Sequence, residues 1–147
     1  MPAAKKILLV EDNPDDVELT LRAFERTKIA NEVIVATDGE EALDYMFASG
    51  KFAGRDPDAA PTVVLLDLNL PKLTGLDVLK RMRADARTRR LPVVMLTSST
   101  EERDIIASYD LGANSFVRKP VDFAEFLDAA RQLGMYWLVL NEPPPTR

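Results

Sequence analysis

The chain contains no cysteine and no histidine. The first absence excludes a disulfide scaffold, a cysteine-based zinc site and a thiol nucleophile. The second removes Ser-His and Cys-His triads, histidine metal sites and any imidazole acid–base step. Long hydrophobic runs are missing too, and nothing approaches the roughly 18 residues of a membrane span. Near the N-terminus, Ile7-Leu8-Leu9-Val10 gives way to Glu11, too short a stretch for the core of a signal peptide. The expected location is the cytoplasm, with no membrane partner. Bulk positive charge is also lacking. The 24 acids outnumber the 19 bases for a net charge of −5, a balance unsuited to coating nucleic acid. Any chemistry must run on carboxylates, lysines, hydroxyls or a bound cation.

What is present is an ordinary globular balance of 46 % apolar and 29 % charged residues in 147. At about 100 to 200 residues per domain, that predicts one domain able to bury a real core unaided. Lys5 to Val10 has a continuous apolar stretch closed by Glu11-Asp12-Asn13-Pro14 and reads as a buried strand. Pro14 suits a first helical turn, with Asn13 or Asp12 as its cap. Val17, Leu21 and Phe24 then recur at helical spacing to about Thr27. Glu32 to Ala36 predicts a shorter strand, and Thr37-Asp38-Gly39 opens a helix carrying Ala42, Leu43, Met46 and Phe47. Ser49 to Pro61, rich in Gly, Pro and Asp, reads as a long loop.

Thr62 to Leu68 is a β-branched apolar strand interrupted by Asp67, followed by a loop to Gly75 and a helix marked by Leu76, Leu79 and Met82. Pro92 to Leu96 is a strand, and Glu101 to Leu111 a helix stopped by Gly112. Ser115 to Val117 is a short strand, and a fifth helix begins near Asp122. Five β-α repeats predict an α/β fold: a doubly wound parallel sheet with helices on both faces. The apolar strands one, three and four belong at its centre. The order 2-1-3-4-5 satisfies this with right-handed crossovers.

In such a sheet, ligands bind beyond the C-terminal strand ends where the winding reverses. Strand one delivers Glu11 and Asp12 there, strand three Asp67, strand four Thr97 and strand five Lys119. Three carboxylates so placed repel one another by roughly 4 kcal/mol per pair at 4 Å and an effective dielectric near 20. A hard cation relieves that repulsion, and Mg²⁺ fits oxygen-only ligands best. An Asp beside Mg²⁺ can attack phosphorus to form an aspartyl phosphate. The expected roles are Asp67 as nucleophile, Glu11 and Asp12 for the metal, and Thr97, Ser98 and Lys119 around the phosphoryl group. Taken singly, each has a plain structural explanation. Glu11-Asp12 can be a helix cap, Lys119 an exposed lysine and Thr97 a strand-end residue. Asp67 is the exception, since an acid in an apolar strand costs stability unless it is paired or used.

The chain resembles a receiver domain of the two-component response regulators. The matching pieces are Ile7-Leu8-Leu9-Val10-Glu11-Asp12-Asn13, Leu65-Leu66-Asp67-Leu68-Asn69-Leu70-Pro71 with Gly75, Val94-Met95-Leu96-Thr97-Ser98, and Gly112 through Pro120. The resemblance implies a flavodoxin-like receiver fold and an Asp67 that accepts phosphoryl from a phosphohistidine on a sensor histidine kinase. It implies direct Mg²⁺ ligation by Asp12 and Asp67, Glu11 acting through water, and the backbone carbonyl of Asn69 completing the site. It also implies a switch made of Thr97 and the ring of Phe116, and places Asn69 and Ser99 at positions that tune hydrolysis of the aspartyl phosphate. The loop Ser49 to Pro61, Asp104-Ile105, Ser108-Tyr109 and Tyr136-Trp137-Leu138 resemble the single-domain regulators paired with phytochrome-type kinases, so a bacteriophytochrome is the expected kinase.

The expected boundaries are a receiver over 1–133 and a C-terminal extension over 134–147, with no output domain. Met135 to Leu140 is a run of six apolar residues after a helix that already covers the sheet, and Gly134 lets that helix bend or end. It folds back on its own domain or forms a homodimer or partner contact through Met135, Tyr136, Trp137, Leu138 and Leu140; the second is the reading favoured. Phosphorylation is expected to bias such a dimer through Phe116. Lys80, Arg81, Arg83, Arg87, Arg89 and Arg90 form a basic run that reads as a solvated face, without the interleaved aromatics of a nucleic-acid site. Two further readings stay open: a Mg²⁺-dependent phosphatase with an aspartyl nucleophile, and a pseudo-receiver that binds without phosphorylation. Against the first, Asn69 stands where such enzymes carry a general-acid Asp.

Overall fold

In the computed structural model, residues 5–26, 31–56 and 59–145 are described. The elements run β1 (Lys5–Val10), α1 (Pro14–Glu25), β2 (Asn31–Ala36), α2 (Gly39–Phe47), β3 (Val63–Leu66), α3 (Gly75–Ala84), β4 (Val93–Thr97), α4 (Glu102–Asp110), β5 (Ser115–Arg118) and α5 (Phe123–Met135). Every strand pair is parallel, and the sheet order is β2-β1-β3-β4-β5. The expected end of the first helix near Thr27 lies outside the described residues.

Alternation along the strands divides the core in two. Leu8, Val10, Val64, Leu66, Val93 and Met95 point to one face and pack with Ala42 and Leu43 of α2 and Val78, Leu79 and Met82 of α3. Ile7, Leu9, Val63, Leu65 and Val94 point to the other, where Phe24 of α1 meets them. Burial on both faces explains why these strands read as unbroken apolar runs. The helices start where their capping side chains stand. Asn13 accepts the Asp15 N–H at 2.9 Å, Asp38 accepts Glu41 N–H at 2.8 Å, and Asp122 accepts Glu125 N–H at 3.0 Å. Gly112, with φ +99°, ends the α4 segment as expected.

Three expectations need correction. The segment from Ser49 is not all loop: a 3₁₀ turn forms over Gly50–Phe52. Beyond that turn, Arg55 ties the chain to the end of α2. Its guanidinium donates to the carbonyls of Tyr45 (2.7 Å) and Met46 (3.0 Å), and to Ala59 O at 2.9 Å. Gly134 does not end α5. The helix passes through it and closes in a π-helical turn, Tyr136–Leu140. That wider turn aims Trp137 and Leu138 back at Ile7, Leu9 and Leu65, so both are core side chains rather than contact residues. The basic run is exposed as expected at Lys80, Arg81, Arg87, Arg89 and Arg90, and only Arg83 departs from a solvated face. Arg83 donates to the carbonyls of Leu91 (2.8 Å), Arg89 (3.0 Å) and Gly112 (2.9 Å), and Arg87 pairs with Asp85 while lying 4.5 Å from the Phe47 ring centre. No helix among the described residues is long and apolar enough to cross a membrane.

Candidate functional site

The five residues expected to converge lie together at the C-terminal sheet edge, and a sixth joins them. Glu11 follows β1 and is buried, Asp12 beside it is exposed, and Asp67 follows β3 in a buried position. Their carboxylate oxygens come within 4.8 Å of one another. Lys119 follows β5, and its ammonium donates to Glu11, to Asp67 Oδ2 at 3.1 Å and to Asp16 Oδ2 at 3.0 Å. Asp16, in the first turn of α1, is the member that sequence reasoning misses. It is one of three acids at the helix start, with Asp12 and Asp15, and nothing local in the sequence singles it out.

The backbone around Asp67 is tightly held. Its N–H donates to Val10 O at 3.1 Å, and its Oδ1 accepts the Asn69 N–H at 3.3 Å. The start of α3 presses on the same spot. The Gly75 N–H donates to Leu68 O at 2.9 Å, and a Cβ on Gly75 would lie 2.1 Å from Asp67 O. Only glycine permits that approach. Thr74 and Asp77 form a reciprocal cap that fixes this helix start.

Thr97 ends β4 fully buried, its carbonyl accepting Lys119 N–H at 2.7 Å and its hydroxyl accepting Ser99 N–H at 3.3 Å. Ser98 is exposed. Ser99 leans the other way, donating to Asp104 of α4 at 2.5 Å. Phe116 lies opposite Met95 in the β4–β5 register and packs half-buried on the core. Asn69 is exposed at the mouth of the cluster.

Burial pushes the Glu11 carboxyl up to about 7, with the negative charge of Asp67 adding to the effect and the Lys119 ammonium opposing it. For Lys119, burial works against the charge, but the Glu11, Asp67 and Asp16 carboxylates outweigh it and hold its pKa above the ordinary lysine value. The cluster has only oxygen donors, concentrates negative charge and has one open, exposed member. Those features suit a divalent cation beside the ion pairs to Lys119.

A family-wide sequence pattern described as "Response regulator receiver domain" matches residues 7–131. The chain belongs to that family. The receiver is similar to the response regulator Rcp1 of Synechocystis, at 34% identity over 91% of this chain and 89% of that protein. It superposes on the phosphorylated cyanobacterial phytochrome response regulator RcpA with a TM-score of 0.91, at 36% identity, covering 97% of this chain and 100% of that one. The bacteriophytochrome response regulator RtBRR is 54% identical, with a TM-score of 0.76 over 98% of this receiver and 86% of that chain. Rcp1 has also been solved in a Mn²⁺-bound form. These matches weigh against the phosphatase reading left open by the sequence. The receiver is a signalling protein of the phosphoacceptor type, and the aspartyl phosphatase is not supported.

Proposed function

We propose that Asp67 is the phosphoacceptor of a single-domain response regulator in a phytochrome-type light-signalling pathway, its donor a phosphohistidine on a sensor histidine kinase met in the cytoplasm. The observation that carries this reading is the buried Asp67 carboxylate held at 3.1 Å from the Lys119 ammonium, beside Glu11 and Asp12. A carboxylate oxygen of Asp67 attacks phosphorus, a new O–P bond forms, and the N–P bond breaks with its electron pair returning to the histidine nitrogen. Lys119 donates to the transferring oxygens, and the Thr97 hydroxyl and Ser98 are positioned at the same edge to meet them. Glu11, Asp12 and Asp67, with the Asn69 backbone carbonyl, would hold Mg²⁺. When bound, the ion neutralises charge on the phosphoryl oxygens.

The output we propose is a change of partner or dimer affinity. Movement of Thr97 toward the phosphoryl group frees space for the Phe116 ring and so alters β5 and its flanks. Met135, Tyr136, Val139 and Leu140 are exposed. Beside them is a cavity of about 720 Å³ lined in part by Val117, Leu133 and Tyr136. An apolar face next to such a groove supports a homodimer contact. The test of the donor is phosphotransfer: a phytochrome-type kinase, labelled on its histidine, passes label to the native chain with Mg²⁺ and not with a chelator. Label that stays on the kinase would refute the proposed donor. Leu140→Asp should shift a sedimentation profile toward monomer.

A further inference from the structure

We infer that Asp16 is a positioning residue that holds the Lys119 ammonium in place for phosphoryl transfer at Asp67. The inference rests on the phosphoacceptor reading of Asp67.

An ammonium has three hydrogens, and in this structure all three are directed at carboxylates: Glu11, Asp67 and Asp16. Two of these partners have a second task. Asp67 receives the phosphoryl group, and the hydrogen it now accepts is the one a phosphoryl oxygen would take. Glu11 belongs to the group of three carboxylates whose oxygens lie within 4.8 Å of one another and that suit a cation. Among the described residues, Asp16 is not part of that group. It is the one partner of Lys119 left unchanged when the cation and the phosphoryl group arrive.

Asp16 is also held by its own backbone. It sits in the first turn of α1, where the helix dipole favours a carboxylate. Its N–H donates to the capping Asn13 Oδ1 at 3.4 Å, and its carbonyl accepts the Thr20 hydroxyl at 2.8 Å. The lysine stem itself is nearly buried, so a fixed head group has little freedom to wander. A donor already in place stabilises charge in the transition state without reorganising at the moment of reaction. Asp16→Asn keeps the shape and removes the charge. The ammonium then loses its one constant anchor.

The test measures three quantities in the full chain: the rate of labelling by acetyl phosphate at saturating Mg²⁺, Mg²⁺ affinity by calorimetry without donor, and thermal stability. The native chain should label and Asp67→Asn should not; a native chain without label sinks the phosphoacceptor reading itself, independently of Asp16. Given labelling, Asp16→Asn should react about tenfold more slowly with unchanged Mg²⁺ affinity. Asp16→Glu, which keeps the charge, should stay within about threefold of native. The inference is overturned if Asp16→Asn labels as fast as native or faster. It is equally overturned if the rate loss comes with a matching loss of Mg²⁺ affinity, since Asp16 would then act as a ligand, or if Asp16→Glu is as slow as Asp16→Asn.

Discussion

Leu138→Ala and Leu140→Ala should differ sharply although the two residues are neighbours in one apolar run. Leu138 is 1% exposed and packs with Ile7, Leu9 and Leu65 on the α1 and α5 face of the sheet, whereas Leu140 is 68% exposed. Removing a fully buried leucine costs the transfer energy of the lost atoms plus the cavity left behind, about 2–5 kcal/mol. Removing an exposed one costs within about 0.5 kcal/mol. For a chain of this size, each kcal/mol moves the midpoint by roughly 2–4 °C. The pair should therefore separate by about 4–20 °C in thermal melts. The melts are run dilute and paired with sedimentation, so that any loss of dimer in Leu140→Ala is read separately from unfolding. Equal midpoints for the two variants would refute the placement of the π-helical turn. They would return Trp137 and Leu138 to a surface segment outside the domain core.

Gly75→Ala would set a methyl group 2.1 Å from Asp67 O and 2.9 Å from Leu68 Cα, both backbone atoms that cannot rotate away. The variant should lose at least about 1–3 kcal/mol in urea unfolding and label slowly at Asp67; native stability would contradict the packing described. Glu11 gives a pH prediction for the metal-free chain. Its carboxyl is raised from 4.5 to about 7 by burial, so the folded state favours the protonated form. That contribution is fully present below about pH 4.5 and is lost as pH rises through about 7. Glu11→Gln cannot ionise, so its stability relative to the native chain should rise between pH 5 and 8. Melts in the presence of a chelator measure it, and a difference that does not change with pH would count against the buried carboxyl. Phe116→Ala, if the ring couples the site to the helical face, should make dimer affinity insensitive to phosphorylation in sedimentation while leaving labelling of Asp67 intact.

Much of the fold could be read from the chain because its physical causes are local. Strands buried on both faces must be apolar throughout, so Ile7-Leu8-Leu9-Val10 and Val63–Leu66 stand out. Side-chain caps stand next to the helices they start, as Asn13 and Asp122 do. The site was legible for a related reason: parallel strands put every C-terminal end on one edge, so Glu11, Asp12, Asp67, Thr97 and Lys119 could be brought together by topology alone. What escaped depends on three-dimensional reach. Asp16 meets Lys119 across 103 residues, and one more acid in an Asp-rich helix start carries no mark of that partner. Arg83 resembles any other member of a basic run until its fork meets the carbonyls of the β3–β4 connection and of Gly112. Trp137 and Leu138 look surplus in the sequence because the sheet already has its helix. A widened last turn is what redirects them inward.

The most direct measurement is intact mass of the native chain and of Asp67→Asn after incubation with Mg²⁺ and acetyl phosphate. The account predicts one phosphoryl group per native chain, none on Asp67→Asn, and none on either when the cation is chelated. A label that persists on Asp67→Asn, or that forms equally without a divalent cation, would contradict the assignment of Asp67 as the acceptor in a cation-dependent site.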